Sequence, residues 1–376
     1  MAGRSSGPSW WPLGLAQLGL MLLAFYRGIH VPNPWTLNYY QVSWADGFFR
    51  RGLLGTLLLP LGCARFDPGL IHGLQAVVLL STMSALLWLG RRGMAALFLC
   101  LFLVSDAGTF LFNEVGYLDP LMLLLGLACG ALLIRGRSGS VALLLALAIL
   151  VHEMAVFTVL PAVLVFRLRM APGSRPSLGR LILPSALAVG ALFALSGPVS
   201  DATLQRFSER ASACGHPLAR PDFEKDYQQS FRRSLRVHYR AEELEFLVLP
   251  FALALGWWIL AGQALGRAQR AEQWATLAAC LSPFLLGLLA WDCGRWYFLA
   301  VLQVLLLLGT LPPGDRNEPG RLAPATRWLR VAPLLAVVGL TPIPRFDGSG
   351  ARGLDRSEVR AFGADLAGRW DGFITH

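Results

Sequence analysis

Long apolar runs separated by short polar segments dominate this chain. A helix needs about 20 residues to cross the ~30 Å hydrocarbon core of a membrane, and irregular backbone cannot face lipid. The runs therefore predict about eleven membrane-spanning helices. They fall roughly at 10–26, 69–89, 94–112, 118–134, 141–151, 154–166, 181–195, 246–264, 275–291, 296–311 and 331–340.

Two places depart from regular spans. The run 52–61 is too short to cross a membrane and contains Pro60, which favours an interfacial or re-entrant helix after the first span. The apolar stretch 141–166 is interrupted by His152 and Glu153, which predicts two half-spans that turn at this pair. Such short helices need shelter from neighbouring helices, and broken helices tend to line a cavity.

Composition supports a membrane protein. The 376 residues are 55% hydrophobic and 15% charged, with a mean hydropathy of +0.53, which excludes an ordinary soluble domain. The formal net charge is +10, but the arginines are spread over short loops, so membrane orientation explains them better than nucleic acid binding. The predicted fold class is an all-α polytopic membrane protein with about 10–12 transmembrane helices.

The basic residues also predict an orientation, because cytoplasmic loops are enriched in arginine. With the N-terminus inside, five successive arginine-bearing loops lie inside and nearly all acids close to the membrane lie outside. This result requires the half-spans at His152, since one continuous helix would invert every later loop. The predicted parts are a transmembrane domain (1–343), containing a first external loop (29–66) and an external loop or cap (198–245), and an external polar tail (344–376).

The six cysteines show no paired CxxC spacing and lie mostly inside apolar runs. Cysteine behaves there as a small hydrophobe, which argues against a structural zinc site. The first apolar run has no convincing cleavage site after it, so we expect a retained helix rather than a signal peptide.

Asp46, in the segment QVSWADGFFRRGLLGT, is the first candidate for chemistry. One interpretation is structural: the carboxylate caps a helix that starts near Gly47 and pairs with Arg50 one turn away. The other is functional: the carboxylate acts as a general base or orients an acceptor group. Arg51 lies beside it in sequence.

A second group of acids lies in SDAGTFLFNEVGYLDP, where Asp106, Glu114 and Asp119 occupy one predicted outward turn. Each is explained by solvation alone, and Asp119 before Pro120 is also a natural helix start. Together they would suit an acidic mouth, a divalent ion held by oxygen ligands, or a sugar.

His152 and Glu153 require a partner or a wet cavity, because an uncompensated charge inside an apolar stretch is expensive. A metalloprotease HExxH motif is excluded, since Val156 occupies the second histidine position. A structural pair at a turn and a ligand-lining pair both stay open.

Asp292 and Arg295 lie in WDCGRWYF, at the predicted outer end of a span. An aromatic belt with an anchoring ion pair explains them structurally. Alternatively, the planar guanidinium of Arg295 binds a phosphate while the aromatic rings stack on a sugar or a prenyl chain.

These features together resemble the GT-C superfamily of integral-membrane glycosyltransferases, which use lipid-phosphate-linked sugar donors. The resemblance rests on the first external loop with Asp46 and the run 52–61, on NEVGYLDP leading into LMLLLGLACGALL, on HEMAVFTVLP, and on the late external DCGR. It covers residues 10–312 as topology. It implies a catalytic Asp46 and a phosphate-contacting Arg295, although the paired-acid form of the family motif is absent at Asp46.

The resemblance implies inverting sugar transfer from a polyprenyl-phosphate-linked donor to an unknown acceptor at the extracytoplasmic face of a bacterial inner membrane. Asp46 would deprotonate the acceptor, while Arg295 with Arg50 or Arg51 would offset phosphate charge. Glu114, Asp119, His152, Glu153 and Asp292 complete the predicted substrate site. Such a donor needs no nucleotide, no cofactor is identified, and a divalent cation is compatible with the acids. The alternative is a transporter or lipid flippase with an acidic outer-facing cavity.

Overall fold

A computed structural model gives the fold of this chain. It describes residues 11–29, 35–48, 51–91, 93–113, 115–195, 200–216, 244–265, 270–288, 293–310, 334, 336–342, 351–352 and 355–364. The described residues are almost entirely helical and include no β-strand. The predicted all-α fold is therefore confirmed for this part of the chain.

The described residues of the first half of the chain form nine helices of very different lengths. They are α1 (Trp11–Gly28), α2 (Trp35–Gln41), α3 (Leu53–Leu57), α4 (Pro68–Leu89), α5 (Gly93–Val104), α6 (Asp106–Asn113), α7 (Asp119–Ile134), α8 (Ser138–Val151) and α9 (Val159–Arg169). Single 3₁₀ segments at Trp44–Asp46, Leu59–Phe66 and Glu153–Val156 interrupt them.

The second half contributes longer helices. They are α10 (Leu178–Leu195), α11 (Asp201–Ala213), α12 (Leu244–Leu265), α13 (Arg270–Leu281) and α14 (Cys293–Gly309). Short 3₁₀ segments occur at Pro172–Ser174 and Ser282–Leu288. Residues 217–243 of the predicted external loop or cap lie outside the described residues.

Two described helices, α4 and α10, are long and apolar enough to cross a membrane by length and composition. A third candidate is the bent pair α5 and α6, and α7, α8 and parts of α12 and α14 are shorter apolar helices. The structure thus supports two to three candidate spans among the described residues. The predicted total of about eleven stays a prediction.

The predicted straight span 94–112 is wrong. Its two halves, Ala95–Val104 and Asp106–Asn113, meet at an angle of 71°. The bend falls at Ser105, whose hydroxyl donates to the Phe102 carbonyl oxygen at 2.8 Å. Asp106 therefore begins a buried helix instead of lying in a solvated outward turn, and it accepts a hydrogen bond from the Thr109 hydroxyl at 3.1 Å.

The core is centred on α14, the last long helix of the described chain. Nearly every side chain from Arg295 to Leu308 is buried, as expected for a helix that is apolar on all sides. It packs against α5, α6, α7, α9, α12 and α13. Arg295 lies in the first turn of α14, so a candidate site residue stands at the N-terminal end of this buried helix.

The predicted break at His152 is confirmed. Helix α8 ends at Val151, His152 is extended (φ −157°, ψ 125°), and a 3₁₀ turn leads on to α9. The Met154 backbone N–H donates to His152 Nδ1 at 3.1 Å, so the histidine side chain caps the next turn. Both half-helices contact α7, while α8 packs mainly on α10 and α9 packs on α13 as extensively as on α7.

The run predicted as an interfacial helix consists of α3 and the 3₁₀ segment Leu59–Phe66, which is kinked at Gly62. Helix α3 lies directly against the chain that leads from α2 to Asp46. A Cβ added at Gly55 would lie 1.9 Å from the Val42 carbonyl oxygen, so only glycine permits this approach. Gly55 thereby fixes the position of the turn that carries Asp46.

The described part of the tail docks on the end of α1. The Arg352 backbone N–H donates to the Arg27 carbonyl at 2.9 Å, and its guanidinium donates to the carbonyl oxygens of Tyr26, at 3.1 Å, and of Ile29. Phe362 packs edge-on against Tyr26. An arginine on the last carbonyls of a helix also complements the helix dipole.

Candidate functional site

Charged residues that are far apart in sequence meet in one place in the fold. We call this set the two-arginine cluster; it consists of Tyr39, Arg51, Tyr117, Asp119, His152, Glu153 and Arg295. Its members come from α2, the chain before α3, the start of α7, the break between α8 and α9, and the start of α14. Helix ends therefore converge on it from several directions.

The first half of the cluster is the pair formed by Arg51 and Glu153. Arg51 Nε donates to both carboxylate oxygens, at 3.0 and 3.1 Å, and Nη2 lies 2.5 Å from Oε1. The side chains are 22% and 19% exposed. This planar two-pronged geometry is the strong form of an arginine–carboxylate interaction, and its partial exposure leaves it within reach of a ligand.

Arg51 adopts a left-handed backbone conformation, with φ at 65°. This conformation is uncommon for a residue other than glycine and costs of order 1–3 kcal/mol unless the surroundings enforce it. The pairing with Glu153 and the stacking over the Tyr39 ring, 5.6 Å from its centroid, supply that enforcement. Strain held in this way is typical of functional sites.

The second half of the cluster is the pair formed by Asp119 and Arg295. Arg295 Nη2 donates to Asp119 Oδ1 at 2.8 Å, and Nε donates to Oδ2. The Asp119 side chain is fully buried and that of Arg295 is 8% exposed. The prediction that Asp119 starts a helix is confirmed, since α7 begins there with Pro120 next.

Two tyrosines join the halves. The Tyr39 ring lies 5.8 Å from the His152 ring and 6.0 Å from the Tyr117 ring, and the Arg295 guanidinium stacks over Tyr117 at 4.6 Å. Gly116, at φ 96°, lets the chain turn just before Tyr117. Neither tyrosine was a sequence candidate, although Tyr117 stands two residues before Asp119 in NEVGYLDP.

Asp46 lies outside the cluster, in the 3₁₀ turn Trp44–Asp46. The expectation that it caps a helix near Gly47 is wrong, because Gly47 is not helical and the next described helix begins at Leu53. The Ser43 hydroxyl donates to Asp46 Oδ2 at 2.9 Å and accepts from Arg65 Nη1 at 3.2 Å. Burial lowers the pKa of Arg65, and Ser43 links this residue to Asp46 by hydrogen bonds.

The other Asp46 oxygen is in contact with the Arg210 guanidinium. The Asp46 side chain is 2% exposed, whereas that of Arg210 is 44% exposed. A cavity of about 450 Å³ opens beside this pair, and we call it the Asp46 cleft. It is lined by Ala45, Asp46, Thr203, Arg206, Glu209, Arg210 and Ala213.

Asp46 and the two-arginine cluster are close along the chain. Asp46 and Arg51 are five residues apart, which spans at most about 18 Å when fully extended. The Trp44 backbone N–H also donates to the Thr56 hydroxyl at 2.8 Å, which ties the Asp46 turn to α3. The two features therefore belong to one region of the protein.

A disulfide bond between Cys63 and Cys214 ties helix α11 to this region. The link is reinforced by a small apolar cluster in which Phe66 packs against Phe207, with ring centroids 5.7 Å apart. The expectation that the cysteines act as small hydrophobes is wrong for this pair. Spacing alone could not reveal a bond that joins positions 151 residues apart.

Removing the disulfide is expected to lower the free energy of unfolding by about 2–4 kcal/mol, because a long loop in the unfolded chain is no longer closed. The double variant Cys63→Ser/Cys214→Ser, purified in detergent, is compared with wild type by thermal unfolding. A reductant should lower the stability of wild type to that of the variant and leave the variant unchanged. Equal stability of both proteins without reductant would contradict the prediction, and Cys100→Ala controls for loss of a thiol.

Three predicted site residues, Arg50, Glu114 and Asp292, lie outside the described residues. Arg295 pairs with Asp119, and its predicted pairing with Asp292 stays a prediction. Among the described residues, no group of three or more histidines, cysteines or acids is arranged to hold a metal ion. The divalent cation stays untested.

Comparison with known proteins does not assign this chain to a family. No family model, no curated protein and no solved structure matches this chain.

Proposed function

We propose that this protein is a polytopic membrane glycosyltransferase that moves a sugar from a polyprenyl-phosphate-linked donor to an acceptor at the outer face of the cytoplasmic membrane. The single observation that carries the proposal is the convergence of Arg51, Asp119, His152, Glu153 and Arg295 on one site. Two guanidinium groups, two carboxylates and two tyrosine rings suit a ligand that combines a phosphate with a sugar.

Within this site, Arg51 is the residue we assign to the donor phosphate. It is more exposed than Arg295, whose guanidinium is occupied and buried by Asp119. Arg295 and Asp119 instead form the floor of the site and hold Tyr117 in place. The phosphate role that the family resemblance assigns to Arg295 thus passes to Arg51, whose guanidinium is held in place by Glu153.

Asp46 is the proposed general base. It takes the proton from an acceptor hydroxyl as the acceptor oxygen attacks the anomeric carbon of the sugar. The bond between that carbon and the phosphate oxygen breaks, and the electron pair leaves with the polyprenyl phosphate. Attack opposite the leaving group inverts the anomeric configuration, and Arg51 offsets the charge that develops on the phosphate.

The disulfide supports an outward-facing site. Disulfides persist in oxidising compartments and are rare in the cytoplasm. The Cys63–Cys214 bond joins the first external loop to the external cap of the predicted topology, beside Asp46. The arginine-rich loops predict the same orientation independently.

The proposal is tested in proteoliposomes that contain the purified protein and polyprenyl-phosphate-linked sugars with a radiolabelled sugar. We expect the label to leave the lipid and free polyprenyl phosphate to accumulate. Label that crosses the bilayer while still attached to lipid would instead identify a flippase. Retention of the label on lipid in its original leaflet, across a panel of donors and with a membrane extract as acceptor source, would contradict both functions. Protein-free vesicles serve as the control.

A further inference from the structure

Helix α11 presents two arginines to the Asp46 cleft. Arg206 and Arg210 are one turn apart, so they share a face of the helix, and both line the cleft. Like charges at this spacing are mildly unfavourable. The neighbouring Glu209 accepts a hydrogen bond from Gln205 at 2.9 Å. Arg206 donates to backbone and hydroxyl oxygens of its own helix, at 3.3 and 3.4 Å, and so retains its positive charge for another partner.

The contact with Arg210 blocks access to the Asp46 carboxylate. One Asp46 oxygen accepts from Ser43, the other is in contact with Arg210, and the side chain is 2% exposed. A carboxylate in this state cannot approach an acceptor hydroxyl. Arg210 is the exposed partner, so it is the group that can move without unpacking the fold.

Moving Arg210 alone is costly, because it leaves the buried carboxylate without its cation. The cost is offset when the incoming molecule supplies two groups at once: a hydroxyl for Asp46 and an anion for Arg210. Arg206 lies beside Arg210 and would hold the same anion. A cavity of about 450 Å³ is large enough for a small polar molecule of this kind.

We infer that the Asp46 cleft is the acceptor site, that the acceptor carries an anionic group such as a phosphate beside its hydroxyl, and that binding of this anion by Arg206 and Arg210 releases Asp46. This inference rests on the proposed function. It makes deprotonation conditional on the correct acceptor, and water, which has no anion, leaves Asp46 closed. Donor hydrolysis is thereby suppressed until the acceptor arrives.

Binding is tested first, because it does not require activity. Glucose 6-phosphate and glucose serve as probes in isothermal titration calorimetry of the full-length protein in nanodiscs. We expect the phosphorylated probe to bind at least about tenfold more tightly, since a charge-assisted contact is worth 1.5–3 kcal/mol. The double variant Arg206→Gln/Arg210→Gln should lose this preference. Equal binding of both probes to wild type, or an unchanged preference in the variant, would overturn the inference.

The chain offers a matched control. Arg356 and Arg360 have the same spacing on the exposed helical segment 356–364, away from the cleft-lining residues. Arg356→Gln/Arg360→Gln should leave the preference unchanged. Arg210→Lys keeps the charge and should retain most of the preference for the phosphorylated probe. This variant separates the effect of a lost charge from the effect of a lost fold.

Activity then separates this inference from the proposed function. With Arg210→Gln, donor hydrolysis should rise severalfold while transfer to a phosphorylated acceptor falls, a split that a structural defect would not produce. If wild type cleaves no donor, the proposed function fails and the binding result still stands. If the double variant loses binding of labelled polyprenyl phosphate and not of glucose 6-phosphate, the arginines serve the donor and the acceptor assignment is wrong.

Discussion

Asp46→Asn is expected to lower sugar transfer by about 10²–10⁴-fold, which is the usual contribution of a general base. Asparagine keeps the shape of the side chain and can still accept from Ser43, but it cannot take a proton. The ion pair with Arg210 is also lost. Because the shape of the side chain is kept, the effect should appear in the rate of transfer and hardly in the amount of folded protein. The measurement is release of radiolabelled sugar from the lipid donor under saturating acceptor.

Asp67→Asn is the matched control for this variant. Asp67 is partly exposed, caps α4 by accepting from the Gly69 N–H at 2.8 Å, and lies outside the residues that line the cleft. Asparagine is an equally good cap, so transfer should be unchanged. Normal transfer by a folded Asp46→Asn protein would remove Asp46 from catalysis and leave Glu153 as the carboxylate to test next.

Asp119→Ala is expected to lower the free energy of unfolding by about 3–5 kcal/mol, because it leaves the buried Arg295 charge without its partner. Arg295→Ala should have a similar effect for the converse reason. The pair links the N-terminal ends of α7 and α14, so its loss also disturbs the core helix α14 and the position of Tyr117. SDS titration of the detergent-solubilised protein, followed by tryptophan fluorescence, measures the change.

The double variant Asp119→Leu/Arg295→Met distinguishes an ion pair from simple packing. Apolar side chains of similar size often replace a buried pair with little loss, so the double variant should be more stable than either single variant. If the losses in the free energy of unfolding of the two single variants simply add in the double variant, the pairing is contradicted. Arg135→Ala, at the exposed other end of α7, should change stability by less than about 0.5 kcal/mol and serves as the control.

Much of the site could be anticipated from the sequence, because the free-energy cost of a charge in an apolar setting singles out charged residues. His152 and Glu153 interrupt an apolar stretch, and the break predicted there is present. Asp119, Arg295 and Arg51 were selected because they lie at the predicted outer side of the membrane, and the structure brings them together with this pair. The straight span at 94–112 was mispredicted because hydropathy does not register a bend at a single serine.

The partners of these charges could not be read from the chain. Arg295 pairs with Asp119, which is 176 residues away. Asp46 is in contact with Arg210 on α11, which is also far away in sequence. Local spacing favours neighbours in sequence, whereas burial selects whichever opposite charge the packing of helices brings to the same place.

The amino-acid sequence was sufficient to predict a helical protein with long apolar runs and to identify the charged residues that are costly among them. Apolar runs dictate helices, and charges placed among them must be satisfied or used. The fold was needed to show which charges meet, that two tyrosines join them, and that a disulfide fastens α11 beside Asp46. Pairing depends on distance in space, and helix packing sets the distances between residues that are far apart in sequence.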